Sequence, residues 1–501
     1  MHAALKWTLP LVSGLLLWAS FHPVNAGVLG YVALVPLLVF SQVASGRKAF
    51  FAAWGGGYVG FALGYWWFSY TVPAGPFLVA LYMGLWFPAF TWAVRRLGVL
   101  WSPLLWVATE ALRSSLFGGL PWLLLGYTQH ESLEVIQIAD LGGVWLVSLL
   151  VAFVNAALVH PGKGVKIAAA AALVLSAAYG VLRLPTIELV DGPKVAVVQP
   201  NIPQTLKQIS RDKQAQAIEN YKKHYDLTMQ AALEKPDLIV WPEAAIYRGL
   251  YLSFFNLGGQ PSWDENTWYE AMVEPANQLG IEMLIGGLVT EERPGQEDQY
   301  TNSALRILPG KGVAGRYDKT HLVPFAERYW IFKKVVQAIS GLRLAEMRPG
   351  TGFPVWELGK EKYGAQICYE AIFPEISRDI ARNGASFTVN ISNDGWFKSS
   401  GELDQMLAMA RFRSIENRMH VVRATNTGIS AFIEPTGRLQ SVLEVDGAVK
   451  EVGGVLAGRL RLTRSSSLFR EWGDWVKWGC LGVVLAALAR RIFVDRNKRA
   501  A

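Results

Sequence analysis

Seven apolar runs fill this chain from Trp7 to about Leu184, and an eighth extends from Trp472 to Val494. The first seven cover about 7–22, 27–44, 49–70, 76–94, 98–116, 138–159 and 165–183. Each is close to the roughly 20 residues that cross a bilayer core. The chain is 51% hydrophobic and only 18% charged, with positive mean hydropathy. Soluble domains carry more charge than this, so the expected class is a membrane protein.

The charges between the runs give a direction. Arg47 and Lys48 separate runs two and three, Arg95 and Arg96 separate four and five, and Lys163 and Lys166 separate six and seven. Five more basic residues, Arg490, Arg491, Arg496, Lys498 and Arg499, follow the last run. The other short connections, 21–26, 71–75 and 117–132, contain no Lys or Arg. All basic connections then share one side if the N-terminus is cytoplasmic, as the positive-inside rule requires. The long segment before the last run lies on the other side. The net charge of +8 is thereby read as a topology signal rather than a nucleic-acid patch. Lys6, the following apolar run and "VNAG" at 24–27 also resemble a cleavable signal peptide. The reading adopted keeps that segment as a span.

The expected organisation has four parts. Residues 1–186 form a membrane domain of seven transmembrane helices, and 187–470 form an extracytoplasmic domain. Residues 471–494 supply the eighth helix, and 495–501 are a basic cytoplasmic tail. Within 187–470, "KVAVVQPNI" (194–202), "DLIVWPE" (237–243), "IEMLIGGLV" (281–289), "ASFTVNISN" (385–393) and "HVVRATNTG" (420–428) read as buried strands. Ile218, Tyr221, Tyr225, Met229 and Leu233 line one helix face, and Pro236 stops that helix. Alternation of strand and helix implies a layered α/β domain with functional groups at strand ends.

Few common catalytic devices are present. There is no Gly-x-Ser-x-Gly, no His-Glu-x-x-His, no Walker loop and no Gly-x-Gly-x-x-Gly after a strand. Cys368 and Cys480 are the two cysteines, too few for a disulfide framework or zinc site. No metal and no cofactor is expected. His321 and His420 are possible bases without a clear partner. Three strand-end residues remain: Glu243 after "LIVWP", Lys319 after "AGRYD" and Cys368 after "YGAQI". Each alone has a plain structural alternative: a helix-start acid, a solvated charge and a small buried hydrophobe.

Together they resemble a known pattern. "IVWPEAAI", "GRYDKTHLVPFAE" and "GAQICYEAIFPE" are similar, in content and in order, to the three active-site segments of the nitrilase superfamily. The segments "VQPNIPQ" (198–204), "KTHLVPFAE" (319–327) and "NISNDGWF" (390–397) resemble its membrane-embedded branch, the apolipoprotein N-acyltransferases. Where members of that branch often carry a tryptophan after "NIPQ", this chain has Gln208.

The resemblance implies an α-β-β-α sandwich joined to eight spans. It also implies a catalytic triad of Glu243 as base, Lys319 as cation and Cys368 as nucleophile. Lys319 and the backbone N–H of Tyr369 would stabilise the oxyanion. Glu327 and Glu370 would be supporting residues, orienting Lys319 or polarising Cys368, with structural salt-bridging as the alternative. The implied reaction moves a fatty acyl chain from a phospholipid, through a Cys368 thioester, to the α-amine of a diacylglyceryl-cysteine on a lipoprotein. A monomer in the bacterial inner membrane is implied, with its catalytic domain periplasmic and its C-terminus cytoplasmic. A membrane-tethered amidase or nitrilase is the alternative, since both chemistries pass through a thioester.

Two further segments suit lipid substrates, and one charge pair stands out. "YRGLYLSFFNLGG" (247–259) and "RYWIFKKVVQAISGL" (328–342) read as an apolar loop and an interfacial helix that together form a lid, with core packing as the alternative. Glu110 and Arg113, three residues apart in an apolar run, are expected either to pair with each other or to serve function.

Overall fold

The computed structural model describes residues 5–203, 213–253, 262–324, 327–328 and 346–500. Gln208 and the expected lid residues 254–259 and 329–342 lie outside them. The chain divides into two compact units. One comprises Met1–Ile187, Ser400–Asn417 and Ser466–Ala501; the other comprises Glu188–Ser399 and Arg418–Ser465.

The first unit is helical. Among the described residues, three helices are both long and apolar enough to cross a membrane: Gly75–Leu97, Ala139–Val159 and Lys163–Thr186. The first two expected spans appear as shorter apolar helices, Leu5–Ala19 and Gly27–Val43. The expected span 98–116 contains a helix over only Ser102–Arg113, with a short 3-10 turn on either side. Gly98 and Gly119, both at positive φ, bound that stretch and stop it from running on.

Glu110 and Arg113 do pair, at 3.5 Å, but most of their bonding goes elsewhere. Glu110 Oε1 accepts the Trp106 indole N–H at 2.9 Å and the Leu125 backbone N–H at 2.7 Å. Arg113 donates to the Trp122 and Leu123 carbonyls, both at 2.7 Å. The two charges therefore satisfy the backbone of an irregular segment that lacks helical partners. Leu123 in that segment sits at φ +52°.

One segment departs from the expected boundaries. The helix Gly401–Asn417 lies inside the stretch 187–470, yet it packs within the first unit. There the Trp122 indole donates to Gln405 Oε1 at 2.6 Å, and the Val144 N–H donates to Glu416 Oε1 at 2.9 Å. Gln405 donates in turn to the His22 carbonyl at 2.8 Å. A helix buried on almost every side needs such partners for its polar groups.

The second unit is built on two sheets. The larger contains β1 (Val190–Gln199), β2 (Leu238–Val240), β3 (Ile246–Ser253), β4 (Ser262–Trp263), β5 (Glu282–Glu292), β6 (Gln299–Leu308), β7 (Gly312–Asp318) and β14 (Gly454–Leu462). The smaller contains β8 (Val355–Leu358), β9 (Glu361–Ile367), β10 (Phe387–Ser392), β11 (His420–Thr425), β12 (Ala431–Ile433) and β13 (Leu439–Val442). Alternate residues of β1 and β2 point to opposite faces. Val195, Val197, Leu238 and Val240 meet Ile367, Val389, Ile391 and Val422 of the smaller sheet. Ala196, Val198 and Ile239 turn to the other side, with Ala231 of helix Lys213–Leu233 and Met272 of helix Thr267–Leu279. The helix Pro374–Arg382 packs against β9 and β10.

The apolar stretch 247–253, expected as loop, is part of β3 and pairs in parallel with β5. Its two tyrosines are of a residue type that suits a pleated surface. The strand expected at 237–243 ends at Val240, because Pro242 has no N–H for the ladder.

Candidate active site

The parallel register sets where the site lies. β2 pairs with β1 and β5, and β10 pairs with β9 and β11, all in parallel. Their carboxyl ends therefore gather the residues that follow them. Glu243 comes three residues after β2, and Cys368 comes directly after β9. Lys319 comes directly after β7, and Asn393 directly after β10.

Two glycines hold these turns in place. A Cβ on Gly286 of β5 would lie 2.3 Å from the Pro242 carbonyl oxygen and 2.6 Å from the Glu243 Cα. A Cβ on Gly350 would lie 2.1 Å from the Asp318 carbonyl oxygen. Gly350 also donates its N–H to the Lys319 carbonyl at 2.9 Å. Backbone cannot move aside as a side chain does, so only glycine allows these approaches.

The three chemical groups converge. Lys319 is 1% exposed, and its Nζ lies 2.9 Å from Glu327 Oε1 and 3.5 Å from Glu243 Oε1. Burial alone would lower the Lys319 pKa, but the carboxylates of Glu327 and Glu243 outweigh it and hold the value above the ordinary lysine range. Lys319 is therefore a fixed cation. Glu243 is oriented by two donors, Asn302 Nδ2 at 2.7 Å and the Asn393 backbone N–H at 2.8 Å. Asn302 also donates to Glu327 at 3.4 Å, and its carbonyl accepts the Lys319 N–H at 2.8 Å. Asn302 thus bonds both acids through its side chain and the Lys319 backbone through its main-chain carbonyl.

Cys368 opens a short 3-10 turn, Cys368–Ile372, and sits at φ +53°. A non-glycine residue in the left-handed region is costly and persists only where its surroundings hold it. Burial pushes the thiol well above its ordinary pKa, and the Glu243 and Asp394 charges add to that. Lys319 and the Ser392 side chain oppose the rise. The resting group is consequently a thiol, and a base must take its proton as it attacks.

Glu370 is fully buried and faces away from this chemistry. Its Oε1 accepts Tyr317 OH, Thr320 N–H, Thr320 Oγ1 and His321 N–H at 2.7, 2.7, 2.9 and 3.1 Å, and its Oε2 accepts the Ile367 N–H at 2.7 Å. It ties the turn after Lys319 to the turn of Cys368. Glu327 contacts Lys319 directly and is held by the Val323 N–H at 2.8 Å. Tyr369 packs its ring edge-on against Phe373, with centroids 5.1 Å apart.

Neither candidate histidine joins the group. The His321 ring packs against Phe373 at 4.3 Å. His420 begins β11, opposite Phe387 in register, whereas the site lies at the other end of these strands. Its Nδ1 meets the Arg461 carbonyl at 3.0 Å.

Comparison with known proteins agrees with this geometry. Residues 194–446 match the carbon-nitrogen hydrolase family, and residues 13–157 match the apolipoprotein N-acyltransferase N-terminal domain. A Geobacter metallireducens apolipoprotein N-acyltransferase is 33% identical over 97% of this chain and 95% of its own length. This chain belongs to the apolipoprotein N-acyltransferase family. A Rhizobium rhizogenes member is 32% identical over 89% of this chain and 87% of that protein. Among solved structures, Saccharomyces cerevisiae Nit3, of the nitrilase superfamily, is similar with a TM-score of 0.40 and 20% identity over 55% of this chain and 91% of that one. The second unit is nitrilase-like, as the family match over 194–446 requires.

Sequence reasoning assigned no role to Asn302, Asn393, Gly286 or Gly350 in this N-acyltransferase family member. Asn393 lies inside "NISNDGWF" at 390–397. Gly286 carried a usable signal, since glycine inside a strand often marks a close backbone approach. Asn302 carried none.

Proposed function

We propose that this chain transfers a fatty acyl chain from a membrane phospholipid to the free α-amine of an N-terminal diacylglyceryl-cysteine, the last acylation of lipoprotein maturation. The observation that carries this is Lys319 Nζ lying within 3.5 Å of both Glu243 and Glu327, with Cys368 in the electrostatic field of the same Glu243 and Lys319.

In the first half-reaction Glu243 takes the Cys368 proton as Sγ attacks an ester carbonyl. Lys319 and the Tyr369 N–H receive the oxyanion. The C–O bond then breaks, Glu243 returns the proton to the leaving oxygen, and lysophospholipid departs. Cys368 is left as a thioester. In the second half, the lipoprotein amine attacks that thioester, Glu243 accepts the amine proton, and the C–S bond breaks. The amide leaves and the proton returns to Cys368. Glu327 holds Lys319 charged and in place throughout.

Acyl substrates leave a bilayer at about 0.8 kcal/mol per CH₂, which supports a catalytic unit tied to membrane helices. The eight-span topology fits this reading, with a cytoplasmic N-terminus, a periplasmic catalytic domain over 187–470 and a cytoplasmic tail. So do a phospholipid donor and action as a monomer. Product analysis tests the reading. Purified protein given labelled phospholipid and a diacylated lipopeptide yields the N-acyl lipopeptide. Labelled free fatty acid as the sole product identifies a hydrolase instead.

A further inference from the structure

Behind Cys368 lies a buried polar chain that the transfer mechanism does not use. Its centre is Arg423 of β11, which is fully buried. One branch of the guanidinium, NH1, donates to Asn390 Oδ1 at 3.0 Å. Asn390 is also fully buried, and its Nδ2 donates to the Cys368 carbonyl at 3.3 Å. The other branch, NH2, pairs with the buried Asp394 through Oδ2 at 3.2 Å. Nε donates to the Ile429 carbonyl at 3.4 Å. Breaking a buried ion pair is strongly destabilising, and keeping one gains little over apolar packing. An arginine–aspartate pair placed under a nucleophile therefore calls for a reason beyond stability.

The two branches end at different halves of the chemistry. Cys368 follows β9 of the smaller sheet and Glu243 follows β2 of the larger, so no backbone ladder sets the gap between them. On one side, Asn390 grips the backbone of Cys368, whose φ of +53° persists only where its surroundings hold it. On the other, Asp394 opens the short turn Asp394–Trp396. The residue directly before it, Asn393, donates its backbone N–H to Glu243 Oε2 at 2.8 Å. Asn426 Nδ2 supports the same turn, donating to Asn393 Oδ1 at 2.9 Å. A guanidinium presents its donors in a rigid planar fork, whereas lysine is a point charge on a flexible stem. Only the fork holds two partners at a fixed angle.

We propose that Arg423 sets the spacing of nucleophile and base, holding the Cys368 turn through Asn390 and the Glu243-orienting Asn393 N–H through Asp394. Arg423, Asn390 and Asp394 are positioning residues. They act through the backbone of the two turns and not on the reacting atoms. Arg423→Lys keeps a charge for Asp394 but loses the second branch of the fork. Asn390→Ala cuts the Cys368 side of the same chain and removes no charge.

The test is single-turnover formation of the acyl-enzyme by the full-length protein in detergent with acyl-labelled phospholipid. Two quantities are read per folded molecule: the maximal rate, and the phospholipid concentration that gives half of it. Near-UV circular dichroism supplies the folded fraction. Arg423→Lys and Asn390→Ala each lower the maximal rate about 100-fold, as displacement of a reacting group does, and leave the half-saturating concentration at its wild-type value. The double variant is no slower than Arg423→Lys, because both changes cut one chain. A wild-type maximal rate per folded molecule in either single variant assigns these residues to stability alone and overturns the inference. Losses that multiply, to about 10,000-fold in the double variant, overturn it too, as does a raised half-saturating concentration at unchanged maximal rate. If Arg423→Lys does not fold, Asn390→Ala decides on the same two readouts. The inference rests on Cys368 being the nucleophile. Failure of that reading is distinct: the wild-type protein itself would carry no label on Cys368.

Discussion

Glu370 Oε1 accepts the backbone N–H of Thr320 at 2.7 Å across fifty positions of sequence. With its four other bonds, this makes Glu370 the tie between the Lys319 turn and the Cys368 turn. Each buried donor left unsatisfied costs about 1–3 kcal/mol. Glu370→Ala is expected to lower stability by several kcal/mol on the order of that sum and to abolish thioester formation. Glu370→Gln keeps an acceptor on one side only and is expected to be intermediate. Thermal unfolding in detergent, with acyl-enzyme yield on the same samples, checks this. Full stability with lost activity in Glu370→Ala would instead make it a tuning group for the thiol.

Gly286→Ala and Gly350→Ala press a methyl into the backbone beside Glu243 and Lys319, at 2.3 and 2.1 Å. Misplacement of a catalytic group by about 1 Å is expected to cost about 100-fold in rate. Acyl-enzyme formation rates in the two variants test this. Wild-type rates would mean that the site tolerates displacement.

Lys319 sits between two carboxylates and cannot be replaced by a neutral side chain without stranding them. Lys319→Met is expected to cost about 3–5 kcal/mol of stability as well as activity. Lys319→Arg does not restore activity, because a planar fork does not fill a point-charge site. The raised Lys319 value keeps it charged through neutral pH and above. Its stabilising effect is present below the unfolded lysine value of about 10.4 and fades only as pH rises toward the folded value. Activity lost on moderate alkalinisation therefore comes from another group.

His420 gives a prediction of the other sign. Burial, partly opposed by its bond to the Arg461 carbonyl, lowers its pKa to about 4. The neutral ring then contributes stability that is present above about pH 6.5 and lost as pH falls toward 4, worth about 3 kcal/mol in all. His420→Asn is expected to remove this acid sensitivity and keep acyl-enzyme formation. Loss of the acyl-enzyme in that variant would return the histidine to the site. Denaturant midpoints between these pH values make the measurement.

What the sequence displays follows from which residues must be apolar on both faces. β1, β2, β5, β10 and β11 are central, mostly parallel strands, and apolar residues recur in each, near-continuously in β2 and beside buried polar residues in β10 and β11, so all five are readable. β6, β7, β8 and β13 pair antiparallel and mix polar with apolar residues, and β12 is only three residues long, so no run announces them. Glu243, Lys319 and Cys368 were legible through the motifs around them. Asn302 was not, because a single asparagine in "QYTNSALRIL" has no spacing that marks it. Arg423 offered a hint, as a charge inside the buried strand "HVVRAT" demands a partner, but the identity of that partner is a tertiary fact. The helix Gly401–Asn417 belongs to the first unit, which its pattern does not show, because its surroundings bury its polar residues.

The central claim is that Cys368 carries the acyl group, delivered from phospholipid and discharged to an amine. Mass spectrometry of the purified protein after incubation with acyl-labelled phospholipid tests it most directly. The account predicts one acyl label, on the peptide containing Cys368, absent in Cys368→Ala and discharged as an N-acyl amide when a diacylated lipopeptide is added. A label on any other residue, or acyl transfer at the wild-type rate by Cys368→Ala, would contradict it.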